Sequence, residues 1–85
     1  MASKLTWDRN SEADVDYYRV FMSGVFQSKV MQTAIGVKPE WSLPATGSGD
    51  LTVSAVDKSG NESALSVSVP FDKIPPAAPV NLALV

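Results

Sequence analysis

Four carboxylates, Asp8, Glu12, Asp14 and Asp16, stand within nine positions near the start of the chain. Hard oxygen ligands at that density could hold Ca²⁺, but the glycine and the terminal bidentate glutamate of an EF-hand loop are missing. A solvated acidic loop is the plainer reading, and no metal is assigned. Asp57, Ser59 and Asn61 open on a similar pattern, yet Glu62 holds its sixth place and Ser68 its twelfth, so turn formation explains them better. Asn61-Glu62-Ser63 has the form of an N-glycosylation sequon, which matters only in a eukaryotic secretory chain. Trp7 and Trp41 could offer flat apolar faces to a sugar. Trp41 stands between Pro39 and Pro44, and it is the better candidate for an exposed contact, with Tyr17 and Phe21 as companions. The candidate binding set is therefore Trp41, Tyr17, Phe21, Asp57 and Asn61.

The chain has no cysteine and no histidine. That removes disulfides, thiolate and imidazole metal sites, cysteine nucleophiles and any Ser-His-Asp triad. The paired carboxylates of a glycosidase need one acid raised in pKa by an apolar cleft, whereas the acids here fall in polar loops. No catalytic residue, enzyme activity or cofactor is expected. A composition of 45% apolar and 19% charged residues with a net charge of -2 is that of a folded chain without a nucleic-acid footprint. No apolar run reaches the roughly 18 residues that cross a bilayer. The start Met-Ala-Ser-Lys lacks the apolar stretch of a signal peptide, so export would need another segment.

Eighty-five residues make one domain. Its apolar residues mostly alternate, the period of a half-buried strand, and the fold class is all-β. Strands are expected at residues 4–8, 15–22, 30–35, 40–43, 51–56 and 65–69. Tyr18, Val20 and Met22 share one face of the second, and Tyr17, Arg19 and Phe21 share the wetter one. Ser23-Gly24 and Gln27-Ser28-Lys29 bracket a turn before the third strand, and Gly47-Ser48-Gly49 makes the turn before the fifth. Asp57 to Asn61 turns the chain into the last arm, which Pro70 ends. Beyond it, Pro75-Pro76-Ala77-Ala78-Pro79 reads as a polyproline-like linker. Val80-Asn81-Leu82-Ala83-Leu84-Val85 would pair as a strand if it found an edge.

Leu5-x-Trp7, Tyr18-x-Val20 and Leu51-Thr52-Val53-Ser54-Ala55-Val56-Asp57-Lys58-Ser59-Gly60-Asn61-Glu62-Ser63, in that order, resemble a fibronectin type III module of bacterial or phage type. The resemblance implies an immunoglobulin-like, two-sheet antiparallel β-sandwich over residues 1–70. Trp7, Tyr18, Val53 and Val67 would then meet between its layers. It implies Leu5 and Trp7 as the core pair of strand B, Tyr18 and Val20 in strand C, Leu43-Pro44 at the end of strand E and Ala55-Val56-Asp57 in strand F. Two departures stand out: Leu51 replaces the aromatic that often opens strand F, and only Met1-Ala2-Ser3 precedes Lys4, where strand A would lie. Residues 71–85 are a proline-rich linker plus a terminal segment, in which Pro75-Pro76-Ala77-Ala78-Pro79-Val80-Asn81-Leu82 looks like that missing strand. The tail would begin the next module of a tandem array, add to the edge of another copy, or fold back on its own module over the ten residues 70–79, which reach at most about 33 to 36 Å.

Such modules occur in phage tail-tip host-specificity proteins and as accessory domains of bacterial glycoside hydrolases. The resemblance therefore implies a structural spacer in an extracellular, cell-surface or virion-tail protein, with neighbouring modules of the same polypeptide as partners. One alternative is a module that binds a glycan or a host receptor through loops and exposed aromatics. Another is self-association through Val80 to Val85. No nucleic-acid partner and no membrane insertion are expected.

Overall fold

The computed structural model describes residues 4–72, 74, 76–81, 83 and 84. The described chain is all-β, with no helix and two antiparallel sheets. Strands β1 (Lys4–Thr6) and β4 (Glu40–Ser42) form the smaller sheet. Strands β2 (Val15–Met22), β3 (Val25–Met31), β5 (Ser48–Asp57) and β6 (Val69–Asp72) form the larger one, in the order β3-β2-β5-β6.

The alternation in β2 and β5 sorts their side chains onto two faces. Tyr18, Val20 and Met22 stand opposite Ala55, Val53 and Leu51, while Tyr17, Arg19 and Phe21 stand opposite Val56, Ser54 and Thr52. Tyr18 and Val20 are buried, whereas Tyr17, Arg19 and Phe21 are each half-buried, as expected of the wetter face. The buried apolar residues are Val15, Tyr18, Val20, Leu51, Val56 and Phe71. The two sheets meet where the Trp7 ring stands edge-on to Tyr18, with centroids 5.4 Å apart.

Four expectations need correction, besides Ser48 and Gly49, which open β5 rather than forming the turn before it. The first strand ends at Thr6 rather than residue 8. The third strand is not residues 30–35: the turn is only Ser23-Gly24, with φ of 50° and 78°, and pairing resumes at Val25. Positive φ at both central residues is the two-residue hairpin turn whose twist matches its strands. Gln27 is bulged out of β3, since Val20 faces Ser28 and Phe21 faces Phe26, and this breaks the alternation that would have revealed the strand. Ile35, expected in a strand, is fully exposed instead.

The last arm is the third correction. Residues 65–68 are in no strand, and the continuous ladder starts only at Val69. Val56 is bridged to Glu62 and Leu51 pairs with Val69, so five steps along β5 match seven along its partner. Hydroxyls bridge the mismatch: Ser63 Oγ accepts from Ala55 N at 2.9 Å and Ser66 Oγ from Val53 N at 3.0 Å. Val67 is therefore 90% exposed and does not join Trp7, Tyr18 and Val53 between layers. Finally, Pro70 lies inside β6 rather than ending the arm, opposite Asp50, which an edge strand tolerates. Phe71, placed in the linker by sequence, is buried, and the strand runs on to Asp72.

Candidate functional site

The two acidic loops meet at one end of the molecule. Asn10, Glu12, Asp14, Asp57, Asn61 and Glu62 line an open hollow of about 350 Å³ there. Lys58 N donates to Asp14 O at 2.9 Å, which ties the loop before β2 to the loop after β5. Within the second loop Asp57 is committed to its own turn. Its Oδ1 accepts from Ser59 N and Asn61 N, each at 2.9 Å, and its Oδ2 from Asn61 Nδ2 at 3.1 Å. Those donors, Asn61 foremost, hold the Asp57 carboxyl below its ordinary pKa. Asp57 and Asn61, both in the candidate binding set, thus serve each other.

The four N-terminal acids do not converge. Asp8 pairs with Lys38 at 3.3 Å, Glu12 and Asp14 face the hollow, and Asp16 sits in β2. Among the described residues no three acidic side chains gather where they could hold an ion.

Tyr17 and Phe21 share one face of β2, each with its own partners that the sequence reading did not single out. The Arg19 guanidinium lies 5.1 Å from the Phe21 ring centroid and 5.0 Å from that of Phe26, and Lys29 Nζ lies 4.3 Å from the Tyr17 centroid. Phe21 and Phe26 meet edge to face at 6.1 Å. Cations over ring faces are attracted by the ring quadrupole, and they occupy a face that a sugar would stack on. Trp41 lies on the other sheet, paired with Leu5 and half-buried, away from this set. The β2–β3 turn was the missing signal, because only the tight hairpin sets Lys29 opposite Arg19 and Phe26 opposite Phe21.

Glu62 closes the cluster. Its Oε1 accepts from Arg19 Nη1 at 2.7 Å and its Oε2 from Ser54 Oγ at 2.5 Å. Ser54 is itself buried, so Glu62 is the acceptor its hydroxyl requires. The Ser54 hydrogen bond and then Arg19 hold the Glu62 carboxyl below its ordinary pKa.

A depressed carboxyl pKa contributes stability that is complete above the unfolded value and is lost as pH falls through the folded one. Glu62 and Asp57 therefore predict a stability decline that begins as pH drops past ordinary carboxylate values and ends below them. Urea unfolding at stepped pH should show this decline, and Glu62→Gln should make it shallower. An acid limb identical in the two proteins would refute the assignment to Glu62.

No family model, no curated protein and no solved structure matches this chain.

Proposed function

We propose that the chain is a non-catalytic spacer module, a two-sheet β-sandwich of the fibronectin type III type, within a larger exported, cell-surface or phage-tail protein. One observation carries this reading. β5 runs ten residues, about 33 Å at strand rise, from the Ser48 end to the acidic end, and it is flanked by β2 on one side and β6 on the other. β2 pairs with it from Leu51 to Asp57 and β6 from Ser48 to Leu51, so ladder bonds run its whole length and hold the two ends of the module at a set distance. Past Asp72 the chain leaves at the end opposite the acidic loops, since Asp72 pairs with Ser48. The connector is residues 73–79, with prolines at 75, 76 and 79. In polyproline geometry seven residues extend about 22 Å and bend little. The mechanism is geometric: rigid bodies spaced by stiff, short connectors.

Small-angle X-ray scattering from two copies joined through residues 73–79 tests it. A narrow distribution of intermodule distances is expected, which broadens and shifts shorter when the three prolines become glycine. A broad distribution that the prolines do not affect would sink the spacer reading.

A further inference from the structure

Among the described residues β1 is bonded to β4 alone, so one edge of this short strand has no partner. Beside β1 lies a cavity of about 340 Å³, lined by Leu5, Trp7, Tyr18, Val53 and Ala55 and, on its other side, by Val67. Two apolar residues of its lining are left open to solvent, Val67 at 90% and Val69 at 50% exposed. Trp7, on the wall, has a buried Nε1 with no acceptor. An unpaired edge beside an uncovered apolar trough has the form of a site for one more extended strand.

The chain carries a segment of that kind. Residues 80–85 read Val-Asn-Leu-Ala-Leu-Val, with Val80, Leu82 and Leu84 in alternation. Val80 and Leu84 are almost wholly exposed, and the described residues after Asp72 belong to no strand. The molecule is 67 Å long with a radius of gyration of 17.4 Å, against about 12 Å for a compact chain of this length. Val80 and Leu84 thus do not pack on their own body.

Polarity decides whose trough it enters. β1 runs toward the acidic end, where Asn10 lies with Asp57 and Asn61, and the arm from Glu62 to Asp72 runs away from that end. Every strand pair in the molecule is antiparallel. A strand antiparallel to β1 must begin at the acidic end, but the chain leaves at the other. Returning to its own trough means climbing from the level of Ser48 to that of Trp7, which packs on Tyr18 opposite Ala55, about 23 Å along β5, and then crossing to the other sheet. Residues 73–79, about 25 Å when fully stretched, would have to run taut. The same connector need cross no such length to enter a neighbour whose acidic end abuts the exit.

We propose that residues 80–85 of one copy insert beside β1 of the next, antiparallel to it, and join copies of this chain head to tail. The donor and acceptor surfaces differ, so a joint repeated in one direction is heterologous and builds open chains, whereas reciprocal exchange between two copies would stop at a dimer. In each joint the inserted strand covers Val67 and brings backbone carbonyls toward Trp7.

Sedimentation of the 85-residue chain over a wide concentration range tests this. The weight-average mass should rise at least about two-fold, without a plateau at dimer, as open association requires. The double variant Val80→Asp/Leu84→Asp changes only exposed side chains and so keeps the fold; it should stay monomeric at every concentration. A synthetic peptide of residues 76–85 should bind that variant one to one and raise its melting temperature by mass action. The proposal is overturned by a wild-type chain that remains monomeric throughout, including one whose 80–84 amides resist exchange because the tail has folded back. Association that the double variant retains would overturn it equally.

Discussion

Tyr18→Ala should unfold the chain or bring it to the edge of unfolding, at a cost of about 3–5 kcal/mol, the range for emptying a buried aromatic site. For 85 residues the whole stability is about 4–13 kcal/mol, and a core with six buried apolar residues belongs near the lower end. Tyr18 is 1% exposed, and its ring is the main contact between the sheets through Trp7. Its hydroxyl does a second job. It accepts from Asn10 N at 2.9 Å and donates to Gln32 Oε1 at 2.8 Å, while Gln32 Nε2 donates back to Asn10 O at 3.2 Å. Arg9 adds Nε to Thr33 O at 2.6 Å and Nη1 to Asn10 O at 3.0 Å. The loop that crosses from one sheet to the other is thus pinned to the chain just after β3 by the phenol together with Gln32 and Arg9. Tyr18→Phe keeps the ring and removes the phenol's share of the pin, leaving Asn10 N without its acceptor while Gln32 Oε1 keeps Thr33 N, for about 1–3 kcal/mol. Urea denaturation of both variants separates the two roles. A Phe variant within about 0.5 kcal/mol of wild type would show that water replaces the hydroxyl and that the loop is held by other bonds.

How far these features could be read from the residues depended on whether their cause was local. β2 and residues 51–56 of β5 were legible because alternation over eight and six residues is unambiguous, whereas the Ser48-Gly49 start of β5 looked like a turn. The same rule hid β3, where the bulge at Gln27 shifts the face of every residue before it and polar Gln27-Ser28-Lys29 looks like a loop. It also overstated the last arm: Leu65, Val67 and Val69 alternate perfectly, yet seven residues are matched to five, and serine hydroxyls take ladder amides that carbonyls would have filled. In the candidate site Tyr17 and Phe21 could be paired by counting twos. Glu62 could not, because its partner Arg19 is 43 residues away and the contact exists only once β5 and the arm are registered. The misplaced reading of Pro70 had the widest consequence. With Phe71 and Asp72 taken up into β6, the connector shortens to seven residues, and the tail could return to its own body only by running taut.

The end of the molecule from which the tail departs supplies the second large effect. Gly49→Ala should destabilise the fold by about 2–4 kcal/mol, combining a strained backbone with overpacking. Gly49 has φ of +151°, and an added Cβ would collide with Ser23 Oγ and lie 2.8 Å from Met22 Cγ. Neither neighbour can step aside cheaply. Ser23 already holds a positive φ in the hairpin turn, and its amide donates to Asp50 O at 2.9 Å. Met22 is held in register opposite both Val25 and Leu51, and its Cγ is near the root of the side chain rather than at its free end. On its other side Gly49 pairs with Phe71, which anchors β6 in the core. Pushing β5 away from the turn therefore loosens the last strand before the connector. Gly36→Ala is the control: its φ is +87°, but an added Cβ meets nothing within 4 Å, so only the backbone cost of about 1–2 kcal/mol applies. Thermal and urea unfolding should rank Gly49→Ala well below Gly36→Ala, with amide exchange in Val69 to Asp72 accelerated in the first alone. Equal losses in the two variants would mean that Ser23 and Met22 yield freely and that the contact at Gly49 does not lock the turn to β5.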